Sequence, residues 1–439
     1  MNAYENSLKQ KLYSIIKEMG THTQDFVINP NKDGIRNRKL GFVDFIKFTL
    51  SLGAKSTNNE LLTYFHYSQN TPTASAYNQQ KAKIKPETFK YLLNKFTKTL
   101  PQPKEYKGYR IIACDGSEIN IARGKEGDST YIPNGNRRGF SLMHFSAFYD
   151  ILNGLYLDAE ISSVREMDEK SDCVKLLDRS EVKKALLIAD RGYENYNIFA
   201  HAIEKNWKFL IRVKDVDVES GGIVHGCYLG LEGEFDVIKD VVITRGDNKY
   251  LREHRDVYKR MDSCRRRFDY IEPGDIKSKY PMSLRMIRIR LDDNKYEMLI
   301  TNLEKDEFSS EEIKILYNMR WGIETSFREV KYYVGMINLH SKKQSYISQE
   351  IYASMVVYNF CKAVINHVRL KKNPHNKHSY KLNTVAAVSV CREFLFGRDV
   401  ALSDLEMLLK RYLTPIRPNR SFPRKVADQK PVSFNYRQA

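Results

Sequence analysis

Three short β-rich runs followed by alternating helix and strand constrain this chain more than any other feature. The runs are YRIIACDGS from Tyr109, GFSLMHFSAFYDI from Gly139 and GLYLDAEISS from Gly154, separated by glycine or asparagine turns. A helical stretch near EKSDCVKLLDRS comes next. It leads to the apolar strand ALLIAD, the helix YENYNIFAHAIEKN and the strand KFLIRVK. Such an order predicts an α/β fold, a mixed sheet with helices on its faces. Two of the strands run directly into an aspartate, Asp115 after RIIAC and Asp190 after ALLIA. In open α/β sheets the carboxyl ends of the strands line the ligand crevice. A lone aspartate there is ordinarily a turn former or a helix cap.

The rest of the chain divides around that core. Residues 1–104 read as helical, and the short polar helix TASAYNQQKAKI makes this region a candidate DNA-reading element, with a plain helical bundle as the alternative. The first part of the mixed-sheet domain spans 105–214. Over 215–295 the helical signal gives way to half-buried antiparallel strands, EFDVIKDVVIT and MIRIRLD, together with the basic cluster Arg265-Arg266-Arg267; this segment reads as a separate β-rich insertion. The second part of the same domain, 296–345, opens on the buried strand YEMLITNL and predicts one long helix from about Ser310 to Val334. A helical region over 346–413 and a proline-containing basic tail over 414–439, with Arg417, Arg420, Arg424 and Lys425, complete the chain.

The long helix carries a second charged constellation. At about 100° per residue, Tyr317, Arg320, Glu324 and Lys331 fall near 0°, 300°, 340° and 320°, one narrow stripe. Leu316, Met319, Ile323 and Val330 form an adjacent apolar face, so the helix packs on the sheet and presents the stripe at its margin. A solvated face with ordinary charge pairs has the same pattern. Two strand-end aspartates with a carboxylate on a helix over the same sheet suit two-metal phosphoryl transfer, and three hard carboxylates favour Mg²⁺ or Mn²⁺ over zinc.

The charge balance agrees. Lys and Arg number 72 against 54 acids, a net charge of +18, which favours a polyanionic partner. An inert basic surface, a ribosome-associated protein or a membrane-surface protein has the same balance. The six cysteines (Cys114, Cys173, Cys227, Cys264, Cys361 and Cys391) form no CxxC pair and so neither a zinc site nor a disulfide framework. The N-terminus lacks an apolar signal core and no run is long enough to span a membrane, so a cytoplasmic protein is expected.

On these residues the sequence resembles the bacterial insertion-sequence transposases of the DDE type with the Y-x2-R-x3-E-x6-K signature. Tyr317, Arg320, Glu324 and Lys331 match that signature without a gap, Asp190-Arg191-Gly192-Tyr193 matches the second block and Asp115-Gly116-Ser117 the first. The resemblance covers roughly residues 40–400. It implies a ribonuclease H-like sheet flanked by helices and interrupted by a β-rich insertion before the glutamate helix. The longer gap, Asp190 to Glu324, does hold the alternating-strand segment. It further implies that Asp115, Asp190 and Glu324 are catalytic and hold two Mg²⁺ or Mn²⁺ ions. Arg320 and Lys331 would grip transposon-end phosphates, Tyr317 would contact the same backbone, and Arg191 and Trp321 would touch the DNA end. The implied partners are transposon-end and target DNA in a DNA-bridged homodimer, and the implied place of action is the nucleoid. Two rival readings use the same residues: a catalytically inactive DNA-binding descendant, and a metal-dependent nuclease without strand transfer.

Overall fold

The structure, a computed structural model, describes residues 3–34, 39–101, 103–125, 127–216, 222–227, 229, 233–261, 267–292, 295–371, 378–397 and 405–417. Cys264, Arg265, Arg266 and the tail beyond 417 lie outside the described residues. Six helices come first: α1 (Ala3–Thr21), α2 (Thr23–Phe26), α3 (Phe42–Ser51), α4 (Thr57–Tyr64), α5 (Ala74–Lys81) and α6 (Thr88–Lys98). The sheet region follows with β1 (Arg110–Ile121), β2 (Tyr131–Asn134), β3 (Arg137–Asp150), β4 (Leu155–Ser163), α7 (Glu169–Arg179), β5 (Ala185–Ala189), α8 (Tyr196–Glu204) and β6 (Lys208–Val213). Beyond it lie β7 (Phe235–Thr244), α9 (Lys249–Glu253), β8 (Tyr258–Arg260), β9 (Lys279–Asp292) and β10 (Lys295–Thr301). The chain ends through α10 (Ser310–Asn318), α11 (Trp321–Arg328), α12 (Gln344–His367), β11 (Tyr380–Leu382), α13 (Thr384–Phe396), α14 (Leu405–Arg411) and β12 (Leu413–Pro415).

Ten strands make one sheet in the order β2-β3-β1-β5-β6-β10-β9-β7-β8, with β4 also paired to β3. Its first half, β4-β3-β1 antiparallel and β1-β5-β6 parallel, is the mixed sheet anticipated, ribonuclease H-like in order. ALLIA is buried at every position, as a central parallel strand must be. The strands of 215–295 do not form a detached unit. β9 pairs with β10, and β10 pairs with β6, so the insertion lengthens the same sheet from its far edge. The reason is hydrogen bonding: β10 would leave an unpaired edge beside β6, and β9 fills it.

Helices cover both faces. Ile112, Cys114 and Leu187 pack with α7 and α8, whereas Ile111, Ile188 and Leu210 pack with Ile313 and Leu316 of α10. Residues of α1, α3, α6, α12 and α13 share a third cluster with Ala113, Phe145 and Ile323, so the N-terminal helices sit on the core and not apart from it. Polar α5 takes part: its fully buried Lys81 meets Glu350 of α12 at 2.5 Å.

Candidate active site

The parallel register decides where the two aspartates lie. Cys114 pairs with Ala189, so Asp115 and Asp190 are the next residues, side by side where β5 ends. β1 does not end at Asp115 as the apolar run RIIAC suggests but continues to Ile121, because its other edge stays paired with β3. Side chains alternate along a strand, which places Asp115 on the face of Ile111 and Ala113, under the α10–α11 segment.

That segment differs from the single helix predicted. A capping box of Ser309 and Glu312 starts α10, and α10 ends at Asn318. A tight turn held by i→i−3 bonds, Arg320 N to Tyr317 O and Ile323 N to Arg320 O, leads into α11. After Arg328 the helix widens into a π-helical turn, Glu329–Val334, which Gly335 ends with φ +95°. Helical periodicity alone cannot show either change, because both alter the number of residues per turn over only a few positions.

Glu324 projects from α11 toward the aspartates, and Arg320 joins the group. Its guanidinium lies 2.9 Å from Glu324 Oε1 and 3.9 Å from Asp115 Oδ2. Burial pushes the Asp115 carboxyl up to about 7; the charges of Asp190 and Glu324 add to this, while the Gly116 N–H and Arg320 oppose it. Asp190 Oδ1 accepts from Gly192 N at 2.8 Å. A fourth acid, Glu169 in the first turn of α7, is raised by burial and then by Asp190. It takes up, with His144, the space where Gly116 would carry a Cβ, so glycine beside Asp115 is a packing requirement. Sequence reading missed Glu169 because only the chain's return through α7 brings it there.

The donor set fits a hard divalent cation: carboxylates only, partly buried, and short of positive charge apart from Arg320. Among the described residues no three His, Cys, Asp or Glu side chains stand close enough together to hold a metal ion.

The other expected site residues are placed less uniformly. Arg320 is buried and faces the carboxylates, and Tyr317 is buried with its hydroxyl unpartnered among the described residues. Lys331 donates to Ser117 Oγ at 2.7 Å and to the Glu118 carbonyl at 2.5 Å; burial pulls its ammonium down to about 8. Trp321, by contrast, is 56% exposed beside Arg320, and Arg191 is exposed next to Asp190. Arg191 also opens onto a cavity of about 770 Å³ between α7, the turn after Asp190 and the α9–β8 region. Eight Lys or Arg residues line it against three acids, Lys170, Lys214, Arg252 and Lys259 among them.

No curated protein matches the sequence. Among solved structures, a piggyBac transposase synaptic complex with hairpin DNA is similar at 8% identity and a TM-score of 0.44, over 86% of this chain and 76% of that one. The family model described as "Transposase DDE domain" matches residues 106–360, from just before β1 into α12 and across all three carboxylates. The chain therefore belongs to the DDE transposase family.

Proposed function

We propose that the chain is a cut-and-paste DNA transposase that cleaves transposon-end DNA and joins it to target DNA. The observation that carries this reading is the Cys114–Ala189 register, which sets Asp115 beside Asp190 under the helix bearing Glu324. Asp115, Asp190 and Glu324 would hold two Mg²⁺ or Mn²⁺ ions, which when bound supply charge neutralisation at the attacking and leaving oxygens of the phosphodiester. Arg320 holds the Glu324 carboxylate beside Asp115. Exposed Arg191 and Trp321 contact the DNA end at the rim, and the basic cavity beyond Arg191 receives phosphates. Lys331, on the turn after the glutamate helix, contacts the same DNA backbone: an ammonium has three donors, and Lys331 gives two of them to β1. Tyr317, buried on α10, reaches that backbone only if the DNA end displaces its cover.

A joining assay tests the reaction. Pre-cleaved end DNA, supercoiled target and Mg²⁺ should yield strand-transfer products. Hydrolysis without joining would favour the nuclease reading, and binding without either would favour an inactive descendant. For assembly, we propose a monomer in solution and a complex of two proteins with two ends, since a charge of +18 opposes self-association until DNA neutralises it. Light scattering of Glu324→Gln with and without end DNA checks this; a limit of one protein per DNA overturns it.

A further inference from the structure

We propose that Ser117 is a positioning residue: through Lys331 it clamps the glutamate helix to β1 and so sets the separation of Asp115 and Glu324. Ser117 lies two residues beyond Asp115, on the same face of β1. Lys331 lies seven residues beyond Glu324, on the π-helical turn. Helix and strand are therefore joined twice. Arg320 spans Asp115 and Glu324 at one level, and Lys331 spans to Ser117 Oγ at 2.7 Å and the Glu118 carbonyl at 2.5 Å at the next. Lys331 also lies 5.8 Å from the Phe145 ring on the neighbouring strand β3, a cation–π contact that draws the ammonium toward the sheet. The Glu118 carbonyl belongs to the backbone and accepts whatever the side chains are, and the Glu118 carboxylate attracts the amine only through its charge. Ser117 Oγ is therefore the β1 side-chain atom to which Lys331 donates a hydrogen bond among the described residues.

This inference rests on the reading of the three carboxylates as metal ligands, and calorimetric titration of the DNA-free full chain with MnCl₂ separates the two. Groups that orient metal ligands typically alter affinity about 10- to 100-fold when removed. Ser117→Ala should weaken Mn²⁺ binding by about tenfold, with unchanged melting temperature and unchanged affinity for duplex DNA. Ser117→Thr, which keeps the hydroxyl, should restore it. Wild-type affinity in Ser117→Ala overturns the clamp. Wild-type protein that binds Mn²⁺ no better than Asp190→Asn overturns the ligand reading itself.

Discussion

Two regions of the ten-stranded sheet, its far β7–β9 half and the central β1–β5 pair, treat buried charge in opposite ways. In the β7–β9 half, Arg285 and Arg288 are nearly fully buried, and each is met by both oxygens of one carboxylate, Asp236 and Asp215 respectively. Their remaining N–H groups reach the carbonyls of Phe308 and Gly233. At the central β1–β5 pair, Asp115, Asp190 and Glu324 converge with one guanidinium in ion-pair range among the described residues. The same sheet thus closes its buried ions around Arg285 and Arg288 and leaves a surplus of negative charge beside Arg320.

Breaking the contrast at the β1–β5 pair should have the largest effect. Asp115→Asn, Asp190→Asn and Glu324→Gln should each abolish DNA cleavage in Mg²⁺ while end-binding survives. Metal-assisted charge stabilisation is worth several kcal/mol, roughly a thousandfold in rate. A mutant cutting at near the wild-type rate would remove that residue from the ligand set.

In the β7–β9 half the loss is of stability. Arg285→Met leaves Asp236 with only Ser310 and Lys305 among the described residues and strips the donor from the carbonyls of Leu303, Glu304 and Phe308. It should cost about 3 kcal/mol in denaturant unfolding. A change under 1 kcal/mol would show that the pair is not coupled to the fold.

The β1–β5 pair should show the reverse sign. Asp115 carries a carboxyl raised to about 7 from 3.8, so its ionisation opposes folding: the native state is favoured at low pH and loses stability as pH rises toward 7. Asp115→Asn should therefore melt higher than wild type at pH 8 without metal, and the difference should shrink as pH falls toward 4. A variant less stable than wild type at pH 8 would mean that the charge is already compensated.

The smallest effect concerns the rim. Arg191→Ala should lower the log–log salt slope of end-DNA binding by about 0.9, one phosphate contact. An unchanged slope would exclude Arg191 from the interface.

Much of this was legible before folding. The apolar run before Asp190 announces a strand end, and the run before Asp115 a strand that in fact goes on to Ile121. The spacing of Tyr317, Arg320, Glu324 and Lys331 announces helix with one charged margin. The union of the insertion with the main sheet was not legible, since a half-buried strand pattern does not say which edge it will pair with. Neither was the inward turn of Arg320, nor the hold of Ser117 on Lys331, because both depend on the break at Met319 and the π-helical turn after Arg328.

By itself the sequence determined the types and order of the elements and the residues able to bind a cation, because local periodicity and side-chain chemistry are properties of neighbours along the chain. Tertiary structure decided the rest. It aligned Cys114 with Ala189, brought Glu169 from α7 against Gly116, and tied the glutamate helix to β1 through Lys331. Those contacts join residues 53 to 214 positions apart, and only long-range packing can select among so many pairings.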